Sequence, residues 1–200
     1  MNPIDTKPIW LTDTDVQNLL HHEDAYAAVV QSLICHARGA YEQPLKPYIR
    51  PKGREQEFQG GRFIAMPACV GEGIEAAGIK WIAGFPANIN RGIPRASGLV
   101  ALNSTETGQL LALMPCETLS ARRTGAVAAL SVNHLAPADT KLAIIGAGPI
   151  GNAVLESINA NATASISEVR LCDMRRDRAE QVAQCLERKK LPEVKIYTDA

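Results

Sequence analysis

The sequence predicts an α/β fold: an N-terminal α+β domain over residues 1–138, then the first part of a doubly wound parallel sheet over 139–200. Three observations carry this. Short β-like runs cluster between Arg62 and Pro115, flanked by two long helical patterns. From Lys141 onward the pattern is strand, helix, strand, helix, strand. Between the two halves lies "PADT", which reads as a linker and sets the boundary.

The opening "IWLTDTDVQNLL" begins with a short apolar strand, and Thr12 three residues before Asp15 resembles a capping box. Apolar positions then continue at helical spacing through "DAYAAVVQSLICHARG", so a helix is expected to run on to Gly39. "YEQPLKPYIRPKGREQEFQGG" is charged and proline-rich, and residues before proline are pushed into extended conformations. "RFIAMPACV", "AAGIKWIAGFP" and "ASGLVALNSTETGQLLALMP" read as strands, the last split by the turn cluster "NSTETG". "CETLSARRTGAVAALSVNHLA" is helical, with small residues suited to close packing.

Composition narrows the function classes. Lys plus Arg and Asp plus Glu both number 21, so no charge excess favours nucleic acid or a membrane surface. No apolar run reaches transmembrane length. The first ten residues show no basic segment leading into an apolar core, and the five cysteines have no CxxC spacing. These features point to a cytoplasmic protein with reduced thiols and no metal site.

"LAIIGAGPIGNAVLES" holds the most legible chemistry. A buried-type strand leads into Gly146, Gly148 and Gly151, and Pro149 and Ile150 open the helix. In a Rossmann-type turn the first glycine makes the tight turn, the second admits a pyrophosphate, and the third packs helix on strand. Phosphate then meets free N–H groups at the helix N-terminus. The next strand ends at Asp173, where a carboxylate accepts from ribose hydroxyls and repels a 2′-phosphate, favouring NAD over NADP. Arg175 and Arg176 follow and blunt that preference. The competing reading is a glycine turn that merely packs a helix, with Asp173 as an N-cap.

Several cations stand upstream. Lys80, in "GIKWIAG", sits in an apolar strand, either meeting an anion or reaching solvent from an edge. Arg122 and Arg123 lie near the start of a helix, against its dipole, and call for a compensating anion: a bound carboxylate or a structural Asp or Glu. Lys46, Arg50 and Arg95 lie near expected strand ends.

Taken in order, "FIAMP", "GIKWIAGFPAN", "GLVALNSTETGQLLALM", "SARRTGAVAALSVNHLA" and "LAIIGAGPIG" resemble the ornithine cyclodeaminase/mu-crystallin family, from about Trp10 to Asp173. The resemblance implies an N-terminal domain for substrate binding and homodimerisation and a Rossmann domain for NAD(P). It implies that Lys80 is the substrate-binding and catalytic lysine, that Arg123 binds substrate carboxylate, and that Thr124 lies beside the cofactor. The second pocket cation is Lys46 by direct count, with Arg50 as the alternative. "QPLKPYIR" and "RASGLVALN" are most similar to the siderophore-pathway dehydrogenases that form 2,3-diaminopropionate. They imply NAD-dependent oxidation of N-(2-amino-2-carboxyethyl)-L-glutamate, with Arg95 among the cations for its three carboxylates. The competing implications are an ornithine cyclodeaminase or a related amino-acid dehydrogenase or imine reductase, and a non-catalytic NAD(P)H-dependent binding protein. The family's catalytic aspartate and remaining Rossmann strands are expected beyond Ala200, so these 200 residues alone are expected to have little activity.

Overall fold

The computed structural model describes residues 7–52, 60–186 and 191–198. Contacts divide the chain into two compact units. One comprises Met1–Leu19 with Gln31–Leu119, the other Leu20–Val30 with Ser120–Ala200. They are cut differently from the 138/139 boundary expected at the linker: most of the "SARRTG" helix and residues 20–30 group with the parallel sheet.

The first unit is built on a seven-stranded sheet. Its strands are β1 (Ile9–Trp10), β2 (Tyr41–Glu42), β3 (Tyr48–Ile49), β4 (Arg62–Val70), β5 (Ala76–Gly84), β6 (Ala96–Ser104) and β7 (Leu110–Pro115). The order is β1-β7-β6-β5-β4-β2, with β3 also on β4. β4 to β7 form an antiparallel meander, and β1 joins β7 in parallel. The β6–β7 turn falls on "NSTETG" as expected: the Ser104 hydroxyl accepts the Glu106 and Thr107 N–H groups at 3.2 and 3.1 Å. A 3-10 turn over Pro86–Arg91 links β5 to β6 and was not foreshadowed by any periodicity.

Two helices precede the meander rather than one. Helix α1 spans Asp13–Leu19 and α2 spans His22–Ala37. The capping box at α1 is present: Asp15 Oδ2 accepts the Thr12 N–H at 2.8 Å and the Thr12 hydroxyl accepts the Asp15 N–H at 3.2 Å. The expected continuous helix breaks at Leu20–His21 because Asp24 accepts the His21 N–H at 3.2 Å, starting a second N-terminus. Gly39, at φ 75°, follows the end of α2.

Helix α3, Glu117–Leu135, follows β7. The second unit then runs β8 (Thr140–Ile145), α4 (Pro149–Asn161), β9 (Ile166–Cys172), α5 (Arg176–Cys185) and β10 (Val194–Tyr197). The sheet is wholly parallel in the order β10-β9-β8, the opening half of a doubly wound fold. Leu142, Val169 and Val194 stand in one register row and Ile144, Leu171 and Ile196 in the next. That face packs with Leu155 and Ile158 of α4 and with Ala179 of α5. Leu155 and Ile158 are essentially excluded from solvent, each worth about 1.5–3 kcal/mol of burial. On the alternate face Glu168 bonds Lys195 at 2.7 Å and also Arg170, which hold its carboxyl down at about 2.

Candidate functional site

The glycine turn has the backbone that a phosphate site requires. Gly146 adopts φ 102°, a left-handed conformation that disfavours any side chain, and its N–H donates to the Cys172 carbonyl at 2.7 Å. The end of β8 is thereby tied to the end of β9. A Cβ at Gly151 would lie 1.8 Å from the Gly146 carbonyl oxygen, so the helix approaches the strand as only glycine permits. A Cβ at Gly148 would meet nothing within 4 Å, which leaves space in front of the turn. Gly148 is also the N-cap of α4, with no side-chain cap, and Pro149 takes the first helical turn. Ile150 is exposed beside it. The amide groups at this helix start therefore face open space and suit a diphosphate.

Asp173 closes the second strand against this turn. Its Oδ1 accepts the Arg175 N–H at 2.8 Å and its Oδ2 accepts the Ala147 N–H at 2.7 Å. These N–H groups, Arg175 first and Ala147 second, hold the carboxyl below the usual aspartate range, with Arg178 and Arg175 adding to the effect. Asp173 is not the cap of α5; that position belongs to Arg175. The two following arginines are occupied locally, Arg175 with Asp177 at 2.8 Å and Arg176 with Glu180 at 2.8 Å.

In the first unit, register decides which cations share a face. Lys80 on β5 pairs with Met66 on β4 and with Val100 on β6. Side chains alternate along a strand, so Arg62, Ile64 and Met66 share the Lys80 face. Tyr48 pairs with Ile64, and the Ala65 N–H donates to the Pro47 carbonyl. β3 ends at Ile49 opposite Phe63, so Arg50 follows at the Arg62 end of this edge, and Lys46 precedes the paired residues at the other end. Arg95 stands apart: the Phe85 N–H bonds its carbonyl, opposite a residue whose ring packs edge-on against Phe63 on the other face. A cavity of about 420 Å³ opens on that other face, lined by Pro67, Cys69, Ala77 and Ile79, with Glu42 at its rim and no cation.

In the second unit, Arg122 and Arg123 separate. Arg122 exerts a minor electrostatic pull on Glu156 of α4, whose hydrogen-bond partners are His22 and Asn152. Sequence reading missed Glu156, which stands far along the chain and carries no local signal. His22 Nε2 contacts Glu156 Oε2 at 3.1 Å, and the Asn152 amide donates to Oε1 at 3.1 Å. Arg123 is exposed and makes no ion pair among the described residues. Thr124 turns its hydroxyl back to the Ser120 carbonyl at 2.7 Å. Among the described residues no group of three His, Cys, Asp or Glu is arranged to hold a metal, and no helix is long and apolar enough to cross a membrane.

The model of the ornithine cyclodeaminase/mu-crystallin family matches residues 6–200. The chain belongs to that family. One relative in it, the N-((2S)-2-amino-2-carboxyethyl)-L-glutamate dehydrogenase of Staphylococcus aureus, is 37% identical over 154 residues, 75% of this chain and 46% of its own length. Among solved structures, Thermococcus litoralis Δ1-pyrroline-2-carboxylate reductase with NADH and L-proline is similar at TM-score 0.83 and 25% identity, over 96% of this chain and 57% of that one. An archaeal alanine dehydrogenase dimer with bound NAD is similar at TM-score 0.80 and 28% identity, over 94% and 55%. The chain thus spans about half the length of the relatives it matches. These likenesses bear out the Rossmann-type fold class expected for this member of the family.

Proposed function

We propose that the chain is the substrate-binding and cofactor-binding part of a cytoplasmic, homodimeric, NAD-dependent amino-acid oxidoreductase. Residues 1–138 serve substrate and dimer; residues 139–200 serve NAD. The observation that carries this reading is the Asp173 carboxylate fixed by two backbone N–H groups beside an open glycine turn. Each carboxylate oxygen retains a lone pair for a ribose hydroxyl, and the fixed charge cannot swing aside for a 2′-phosphate. Gly146, Gly148, Pro149, Ile150 and Gly151 hold the diphosphate, and Thr124 lies beside the cofactor.

The substrate we propose is N-(2-amino-2-carboxyethyl)-L-glutamate, supported by the 37% identity to the Staphylococcus aureus enzyme. Bound NAD would supply the hydride acceptor for oxidation at the glutamate α-carbon, and the secondary amine would release its proton to solvent as the C=N bond forms. The resulting C=N bond adds water and breaks down to 2,3-diaminopropionate and 2-oxoglutarate, a step of siderophore biosynthesis. The chain's own part is orientation and charge: Lys80 as the catalytic lysine, with Lys46, Arg50 and Arg123 binding carboxylates, while Arg95, on the other face of the sheet, is left out of this set.

The test is incubation of the whole enzyme that contains this part with NAD and the glutamate conjugate, following NADH absorbance and 2-oxoglutarate together. Both products, lost in Lys80→Ala, are expected. L-Alanine serves as a second substrate, because the archaeal alanine dehydrogenase covers nearly the whole chain. NADH from alanine alone would overturn the conjugate in favour of a simple amino-acid dehydrogenase. Conversion of L-ornithine to proline would favour a cyclodeaminase, and NADH binding without turnover a binding protein.

A further inference from the structure

Two guanidinium groups converge on one aromatic ring at the edge of the first sheet. Arg50 Cζ lies 5.8 Å from the Tyr48 ring centroid and Arg62 Cζ lies 5.5 Å from it. Both arginines are exposed, and neither forms an ion pair with another described residue. Each guanidinium lies within cation–π range of the ring, so Tyr48 gathers two positive charges at one edge of the sheet.

Register gives this pair a direction. Arg62 and Met66 are on the same face of β4, and Lys80 lies beside Met66. Four residues of strand separate the two rows, about 13 Å at the rise of an extended chain. Between them stands the apolar pair Ile64 and Ile82. Opposite Arg62 is Gly84, where a Cβ would meet nothing within 4 Å. The face therefore has a cation at each end of an apolar interval, and open space at the Arg62 end. A cation row at each end of an apolar interval suits a ligand with two separated carboxylates better than a monocarboxylate.

We propose that Arg62, with Arg50 around Tyr48, is a specificity-determining residue that binds the side-chain carboxylate of an acidic amino-acid substrate at a subsite separate from Lys80. This rests on the amino-acid oxidoreductase reading above and deepens it. The guanidinium fork suits a carboxylate held by two N–H groups, which a lysine ammonium cannot reproduce.

Calorimetric titration of the 200-residue chain with L-glutamate and with L-norvaline, which has the same carbon skeleton without the distal carboxylate, tests the subsite. L-Glutamate is expected to bind about tenfold more tightly, the effect of one charge-assisted contact. In Arg62→Gln that preference falls to near unity while L-norvaline affinity stays unchanged, and Arg62→Lys recovers only part of it. No preference in the parent chain, or a preference undiminished in Arg62→Gln, overturns the proposal. NADH binding, followed by its fluorescence, separates the two readings. A glutamate preference that depends on Arg62 without NADH binding sinks the oxidoreductase and leaves the subsite; NADH binding without that preference does the reverse.

Discussion

The Gly151 Cα faces the Gly146 carbonyl so closely that a methyl group there would sit 1.8 Å from the oxygen. No rotamer relieves a clash between Cβ and backbone, so the first turn of α4 must move away from β8. Gly151→Ala is expected to cost about 3 kcal/mol, at the upper end for forced repacking. It also displaces the N–H groups that start the helix, so NADH affinity should fall at least about tenfold. Thermal melting and fluorescence titration check the two effects. A variant that melts and binds as the parent does would refute the packing role.

Asp173 is expected to govern the choice between cofactors. Its carboxylate is charged at neutral pH, and the Arg175 and Ala147 N–H groups hold its pKa lower still. In Asp173→Ser the ribose acceptor and the negative charge go together. NADH affinity should drop about tenfold, while NADPH affinity rises because the charge that repels its 2′-phosphate is gone. Paired titrations with NADH and NADPH measure both. Unchanged ratios would show that the ribose end lies elsewhere.

The glycine turn and Asp173 were legible from the sequence because both belong to a local β-α-β pattern whose chemistry needs glycine at set places. The Thr12–Asp15 cap and the "NSTETG" turn were legible for the same reason, since side chain and backbone partners lie within a few residues. The break at His21 was hidden, because "HHEDAYAAVV" keeps its helical spacing straight through a new N-terminus. The cations were harder. Whether Lys46, Arg50, Arg62 and Lys80 share a face depends on register, and a slip of one residue reverses every side chain. Glu156, whose charge Arg122 influences, lies in another helix, and no periodicity connects the two.

The His22–Glu156 pair supplies an acid-dependent contribution to stability. The hydrogen bond from His22 lowers the Glu156 pKa from its ordinary 4.5 more than burial raises it, and Asn152 and Arg122 add smaller effects. A carboxyl whose folded pKa is depressed stabilises the fold above its unfolded pKa and loses that stabilisation as pH falls through the folded value. The contribution is therefore full above about pH 4.5 and fades below it. His22→Ala should raise the Glu156 pKa toward 4.5, lower stability at pH 6 by about 0.5 kcal/mol, the order of a partly exposed pair, and flatten the acid limb. Melting curves across pH, with carboxyl carbon NMR of Glu156, test this. An unmoved Glu156 titration would discount the pair.

Gly125 lies in the middle of α3, where glycine costs a helix roughly 0.5–1 kcal/mol relative to alanine. Propensity alone would make Gly125→Ala stabilising. The packing says otherwise: a Cβ there would stand 2.3 Å from the Ala153 carbonyl oxygen and 2.9 Å from the Ser157 Cβ, both on α4. Backbone, not a flexible side chain, blocks the space, so α3 and α4 must separate. The overpacking cost of about 1–3 kcal/mol exceeds the gain in propensity. Gly125→Ala is expected to lower the melting temperature and Gly125→Val to lower it further. A higher melting temperature for the alanine variant would mean that the helices yield without loss, and propensity would win.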